Sequence, residues 1–350
     1  MSNLHEIRFC KIHEVDLLST FINDHWKQNH ILSTDKPLLD WQHLDTTNKR
    51  YNFVVAYNKN DDCFDAVLGF IPTAQYDHAL NNEKNIWLTI WKVVENKKNT
   101  GGLGLSLLNH LTQKINPHSI ISVGINKTVS KLYQSLGFNI GHLDHYFLQN
   151  PDIKKYKIMR IDQSAVNEKE APNQNYQLRK IQSLNLINEK KFSYYPKKSK
   201  EYFTNKYSRH PTYDYHYYGV FHHNNLLACF VIRPIYIDGA CCLRIVDFCG
   251  DISGIDSVQG NFINILKNYN AEYIDIITYG LNEAELGSLG LKKTDESVII
   301  PNYFEPFVKQ KSDILFAYKG PSRPFYIFKG DSDQDRPSTT KTRERETCSQ

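Results

Sequence analysis

The chain is expected to fold as an α/β (α+β) protein of two successive domains, each a mixed, twisted sheet flanked by helices. Three observations predict this. The chain has 350 residues, room for about two domains. Residues 85–138 read as strand, glycine-rich turn, helix, strand and short helix. The same order of elements returns after a polar, proline-containing stretch over residues 161–175. The expected parts are a first domain over 1–160, a linker over 161–175, a second domain over 176–330 and a mostly disordered tail over 331–350.

In order, Ile7-Arg8-Phe9 reads as a short strand, and a helix is expected over 14–28 with Leu17, Leu18, Phe21, Ile22 and His25 on one face. A loop over 29–37 leads to a second helix starting at Leu38. Residues 52–57 and 66–73 read as paired strands around the turn Asn58-Lys59-Asn60-Asp61-Asp62, and Pro72 ends the second strand or marks an edge. Gln75-Tyr76-Asp77-His78 is a polar loop.

Residues 86–94 are rich in β-branched and aromatic side chains, so they read as a strand. Asn99-Thr100-Gly101-Gly102-Leu103-Gly104 is the turn. Leu105, Leu107, Leu108, Leu111 and Ile115 then suit an amphipathic helix that ends before Pro117. Glycines let backbone approach a ligand closely, and a helix N-terminus offers free N–H groups and a positive dipole end, so the turn suits a pyrophosphate. It is neither of two common phosphate loops. Leu107 stands where the dinucleotide fingerprint needs its third glycine, and no Gly-Lys-Ser/Thr follows. A tight turn with no ligand is the plainer alternative. A second strand over 120–125, Asn126, and the run Leu132-Tyr133-Gln134-Ser135-Leu136-Gly137-Phe138 complete the stretch.

This stretch resembles the GNAT acyltransferase superfamily, whose signature is Q/R-x-x-G-x-G/A after the fourth strand, then a strand, an Asn, and a helix carrying L-Y-x-x-x-G-F. Here Asn99 stands where the family prefers Gln or Arg, and the second part matches closely. The resemblance implies acyl-CoA (acetyl-CoA or another) as co-substrate and no metal. It implies a donor pyrophosphate on Asn99, Thr100, Gly101, Gly102, Leu103 and Gly104, with Asn126 a polar anchor. It implies a thioester carbonyl polarised by a backbone N–H near Val93 and Val94, and Tyr133 as the acid for the departing thiolate. The first helices of such folds wall the acceptor side, so His30, Trp41 and His43 are acceptor candidates, against capping and packing roles. Gln75 and Asp77 are further acceptor candidates, against a solvated loop. Residues 140–150 read as strands holding His142 and His145, candidate general bases because His titrates near neutral pH. On an edge strand they would face solvent instead.

In the second half, residues 176–181 parallel the start of the chain, a helical region is expected over 187–203, and strands over 215–221, 226–235, 241–248 and 273–279 with a helix over 262–269. Leu286-Gly287-Ser288-Leu289-Gly290-Leu291 echoes the G-F end of the first half. No Gly-x-Gly follows the central strand, and Asp251 and Asp256 would repel a pyrophosphate. This copy is expected not to bind a donor.

Residues 299–307 and 328–337 resemble runs in GNAT-like proteins of bacterial O-antigen and capsule gene clusters, which usually end R-P-N where this chain has Ser338. That resemblance implies transfer to the amine of an amino sugar, nucleotide-linked, in surface polysaccharide biosynthesis. Asp331, Asp333 and Asp335 alternate, but an EF-hand needs a glycine where Arg336 stands, so an interdomain or acceptor contact is expected of them rather than a metal. The residues from Thr339 are the most polar part of the tail.

Composition bounds the alternatives. Net charge is +4 with 41% hydrophobic residues, and the charge is spread out rather than gathered into a nucleic-acid footprint. No apolar run approaches membrane-spanning length and the N-terminus lacks a signal peptide's pattern, so no transmembrane segment is expected. Seven cysteines without C-x-x-C spacing read as reduced thiols of a cytoplasmic protein, with Cys241-Cys242 a buried pair in a strand. Two further readings stay open: an aminoacyl-tRNA-dependent transferase of the tandem-GNAT kind, and a non-catalytic protein that kept the fold. The oligomeric state is unassigned.

Overall fold

A computed structural model describes residues 4–95, 97–161, 171–189, 192, 194–255, 257–305 and 307–338. The elements in chain order are β1 (His5–Lys11), α1 (Val15–Phe21), α2 (Ile31–Thr34), α3 (Lys36–His43), β2 (Leu44–Asp45), β3 (Arg50–Asn58), β4 (Cys63–Pro72), β5 (Asn85–Val93), α4 (Leu103–Ile115), β6 (Ser119–Ile125), α5 (Lys127–Ser135), β7 (Asn139–His142), β8 (Asp144–Gln149) and β9 (Arg160–Ile161). They continue with β10 (Tyr176–Ile181), α6 (Lys200–Phe203), β11 (His216–His222), β12 (Asn225–Ile237), β13 (Ala240–Gly250), α7 (Gln259–Asn268), β14 (Ala271–Tyr279), α8 (Glu283–Ser288), β15 (Lys292–Lys293), β16 (Val298–Ile299), β17 (Leu315–Lys319) and β18 (Ile327–Phe328). The class is mixed α/β with two large sheets flanked by helices, as expected.

The chain divides into two compact units. The first comprises Met1–Ile71, Leu88–Asn116 and Arg336–Gln350; the second comprises Pro72–Trp87 and Pro117–Asp335.

In the first unit β1 pairs antiparallel with β3, and β3 with β4. Helix α4 packs across β1 and β3. Its buried face is Leu103, Leu107, Leu108 and Leu111, which follows the 3.6-residue period; Leu105, expected on that face, is 41% exposed. The first helix is shorter than expected. After Phe21 the backbone widens into a π turn over Ile22–Trp26, which leaves His25 on the surface while Leu18, Phe21 and Ile22 stay in the core.

In the second unit one sheet runs β10-β11-β12-β13-β14-β8-β15, with β18 also on β14. It is antiparallel except for β13 and β14. Strand β8 comes from the first half of the sequence and lies along β14, with Ile276 opposite Tyr146. Strand β17, from near the end, pairs with both β6 and β7. Helix α7 covers this sheet against β10 and β14. Cys241 and Cys242 are buried in β13, as expected.

Two expectations fail here. The described residues among 187–199 do not form a helix; α6 starts at Lys200, after Pro196, whose missing N–H and fixed φ suit no helix interior. The start of the expected disordered tail is packed, since Asp331 is fully buried and the Phe328 N–H donates to its carboxylate at 2.9 Å. The rest of the tail, from Thr339, and linker residues 162–170 lie outside the described residues. Among the described residues no helix is long and apolar enough to cross a membrane.

Candidate active site

The glycine turn belongs to the first unit. Gly102 sits at φ +79° at the N-cap of α4, a conformation that favours glycine, and Asn99 at φ +65° uses the tolerance of Asn for the same region. Among the described residues, a methyl group added to Gly101 or Gly102 would meet nothing within 4 Å, so the turn is open above its backbone with respect to them. Gly104 is needed for another reason: a Cβ there would lie 3.2 Å from Trp91 Nε1 and 3.5 Å from Val93 Cγ2. It lets α4 press onto β5. No side chain caps the first turn of α4. Thr100 braces the turn, accepting from the Leu103 N–H at 3.2 Å and donating its hydroxyl to the Lys97 carbonyl at 2.9 Å.

Lys97, which sequence reading passed over, fastens this turn. Its ammonium meets Asp61 at 2.8 Å and buried Asp65 at 2.7 Å, so its charge is spent on the β3–β4 hairpin and its pKa is raised by those carboxylates. Val94 corrects an expectation. Its N–H donates to the Asp65 carbonyl at 2.9 Å and is not free to polarise a thioester. Val93 is the last residue of β5 and half-buried.

The acceptor candidates of this unit are structural. His30 is buried and caps α2, its Nδ1 accepting from the Leu32 N–H at 3.3 Å. His43 is fully buried, with Nδ1 3.2 Å from the Phe70 carbonyl and its ring 4.5 Å from that of Phe53. Trp41 is half-buried against the same core.

The second part of the motif lies in the second unit, and its geometry explains its residues. Asn126 caps α5, its side-chain oxygen accepting from the Val129 N–H at 2.8 Å, so this oxygen is already occupied. At the other end the Gly137 N–H donates to Gln134 and the Phe138 N–H to Tyr133, both at 3.0 Å, with Gly137 at φ +79°. This is a Schellman closure, and Phe138 supplies its hydrophobic contact by packing edge-on to Tyr133 at 4.9 Å. Tyr133 is 1% exposed, and its hydroxyl is hydrogen-bonded with Ser122 of β6. Burial pushes the phenol up to about 12, so it holds its proton at neutral pH.

The same closure recurs at α8. Gly290 at φ +78° donates to Gly287 at 2.8 Å, and Leu291 donates to Leu286 at 3.0 Å. The frame that holds Tyr133 in the first copy holds Leu286 in the second. At α7 the place of the glycine turn is filled. A Cβ on Gly260 would lie 2.5 Å from the Ala171 carbonyl, and Asn173 donates from its backbone to Asn261 Oδ1 at 3.1 Å. The chain itself covers that helix N-terminus.

His145 is corrected. It is buried on β8 with Nε2 2.8 Å from Asp275, which also takes two hydrogen bonds from the buried Arg244 at 3.0 and 2.6 Å. It faces an internal ion pair instead of a cleft, and burial lowers its pKa. His142 is exposed at the end of β7, 3.5 Å from Asp144. Asp77 caps the following 3₁₀ turn and accepts a hydrogen bond from Ser199, while Gln75 is half-buried beside it.

Arg244 and His145 hold the Asp275 carboxyl down at about 2. Its unfolded value is near 3.9, so its stabilisation is present above about pH 4 and is lost as pH falls through 2, about 2–3 kcal/mol in all. Acid unfolding followed by circular dichroism should steepen between pH 4 and 2, and Asp275→Asn should flatten that limb. An unchanged limb in the variant would remove the assignment.

What the sequence hid is a buried charged cluster in the second unit. Lys198 bridges Asp247 and Asp331, both at 2.8 Å, and the Tyr207 hydroxyl donates to Asp247 at 2.6 Å. Arg233 forms a two-point pair with Asp335 at 2.7 and 2.9 Å, and Tyr215 donates to Asp335 at 2.8 Å. Lys206 is buried beside Tyr202, and burial pulls it down to about 8. Asp331 and Asp335 thus make contacts inside the second unit, in place of the interdomain or acceptor contact expected of the C-terminal run.

No protein-family model and no curated protein matches the chain. Solved structures do. A GCN5-related N-acetyltransferase from Anabaena variabilis superposes with a TM-score of 0.55 at 11% identity, over 90% of this chain and 72% of that one. A probable N-acyltransferase from Enterococcus faecalis does so with a TM-score of 0.52 at 9% identity, again over 90% and 72%. The yeast N-myristoyltransferase with bound myristoyl-CoA gives 0.48 at 9% identity, over 93% and 81%. With the turn before α4 and the repeated helix closure, the first two of these likenesses establish that the chain has the fold of the GCN5-related N-acetyltransferases, in tandem.

Proposed function

We propose that the chain transfers an acyl group from acyl-CoA to the amine of an amino sugar, nucleotide-linked, in the making of a bacterial surface polysaccharide. The observation that carries the reading is an asymmetry. The first half of the sequence has an open glycine turn, in the first unit, and a buried, protonated Tyr133, in the second; the second half has Leu286 in the frame of Tyr133 and chain packed over its helix start. One catalytic and one supporting copy account for this, corresponding to the two halves of the sequence.

In this mechanism the backbone N–H groups of the turn from Gly101 to Gly104 hold the pyrophosphate. The neutral amine of the acceptor attacks the thioester carbonyl carbon, so no enzyme nucleophile is needed. Tyr133 gives its proton to the departing sulfur and recovers one from the attacking nitrogen. The amino-sugar acceptor rests on the resemblance of the C-terminal runs, whose Asp331 and Asp335 anchor the loop in place. The aminoacyl-tRNA reading is favoured by the tandem fold, but it needs a basic track that the net charge of +4, spread along the chain, does not supply.

Calorimetric titration with acetyl-CoA and with coenzyme A tests the donor site. Micromolar binding is expected. The Gly102→Glu, Gly104→Glu pair, which sets two carboxylates at the start of α4, should abolish it. Absence of binding to the folded wild type would overturn the acyl-CoA reading.

A further inference from the structure

The second unit holds one lysine that its surroundings leave unsatisfied. Lys329 follows β18, is 1% exposed, and its Nζ has no hydrogen-bond partner among the described residues. Its amine lies on the face of Tyr303, 3.9 Å from the ring centre. The nearby acids are spoken for: Asp247 and Asp331 by Lys198, Asp335 by Arg233 and Tyr215, and Asp333 by Ser332 and Gln334. The charged groups facing Lys329 are Arg244 of β13 and Arg233 of β12, which repel its proton, and Asp335 and Asp333 of its own loop, which retain it. Burial dominates and brings the amine down to about 7. A lysine in that state carries a lone pair where amine acylation runs.

Its position ties it to the chemistry. The loop after Lys329 is fastened to β6, where Gln334 Nε2 donates to the Val123 carbonyl at 3.0 Å. The Gln334 amide fills the space beside Gly124, 2.9 Å from where a Cβ would stand. The neighbouring residue of that strand, Ser122, is the hydroxyl partner of Tyr133, and Asn126 follows the strand's end. Tyr303, which covers the amine, is 44% exposed, and its hydroxyl donates to Gln334 at 3.3 Å. A buried amine without an acceptor therefore lies under a solvent-facing ring, on a loop anchored to the strand that carries the partner of the proposed acid.

We propose that Lys329 accepts the proton that the acceptor's ammonium must lose before it attacks. This rests on the acyl-transfer reading. The ammonium gives one proton to the Nζ lone pair and becomes a neutral amine. That amine forms the C–N bond, and the C–S bond breaks with its electron pair leaving on sulfur. The thiol takes its proton through Tyr133. Lys329 then returns its own to water.

The test uses the full chain. First, acetyl-CoA binding by calorimetry stands for the reading itself; without it, both the reading and this proposal fall. Second, the chain is labelled with ¹³Cε-lysine, and the signal absent from Lys329→Met is titrated. A midpoint near pH 7 is expected, and one above about 9 would overturn the proposal. Third, thiol release from acetyl-CoA with a UDP-linked amino sugar is followed from pH 6 to 10. Lys329→Met should lose about a hundredfold at pH 7. Its rate should then climb about tenfold per pH unit as the free amine grows in solution. Lys329→Arg should be equally impaired, because Arg stays charged. A Lys329→Met protein with the wild-type pH profile would overturn the proposal. Folding is not at risk, because methionine removes an unsatisfied buried amine, and the melting temperature should hold or rise.

Discussion

Tyr133→Phe is expected to lower acyl-transfer turnover at least about tenfold while acetyl-CoA affinity stays within about twofold. The ring keeps its edge contact with Phe138 and its place in the helix closure, and inside the protein it gives up the hydrogen bond with Ser122. What is lost is the proton for the leaving sulfur. A thiolate is a tolerable leaving group, with a thiol pKa near 8.5, so the loss falls toward or below the low end of the roughly 10²–10⁴-fold that general acid–base catalysis contributes. Thiol release from acetyl-CoA at saturating donor measures it. Unchanged turnover would remove Tyr133 from the chemistry, and lost donor binding would make it a donor contact instead.

Arg244→Met is expected to destabilise the protein by about 3–5 kcal/mol. Arg244 is 1% exposed and makes four hydrogen bonds: two to Asp275 and two to the carbonyls of Pro301 and Asn302, both at 2.8 Å. Methionine fills much of the volume but leaves Asp275 charged and half-paired. His145 is then the remaining partner, and it balances the charge only as an imidazolium. The variant should therefore regain stability as pH falls from 8 to 6, opposite to the wild type. Arg244→Met with Asp275→Leu should recover most of the loss, since a buried ion pair replaced whole costs far less than one broken. Urea midpoints at the two pH values measure both effects; a loss below about 1 kcal/mol for the single variant would contradict the pairing.

The parts legible in the sequence are those whose cause is local. Gly102 and Gly137 are needed for positive φ within a turn, and Phe138 packs on a residue five positions back, so both halves of the motif could be read in a line. The helix expected over 187–199 is absent among the described residues there, where Pro196 suits no helix interior. His30, His43 and His145 have the same composition signal as catalytic histidines; a cap, a carbonyl and an aspartate far along the chain decide otherwise. The charged cluster was illegible for that same reason. Asp331 and Asp335 look like a solvated acidic run until Lys198 and Arg233, each over a hundred residues earlier, are brought beside them.

The pairing of β17 with β6 and β7 has a consequence on the ribosome. Strand β7 ends at His142 and its partner begins at Leu315, so β6 and β7 wait for about 170 residues of further synthesis. At ~5–20 residues per second that is roughly 9–35 s during which two strand edges stand unpaired in the emerging chain. Such edges template association between nascent chains. Translation rate and chaperone supply, more than the stability of the finished protein, should therefore set how much of it a cell recovers in native form.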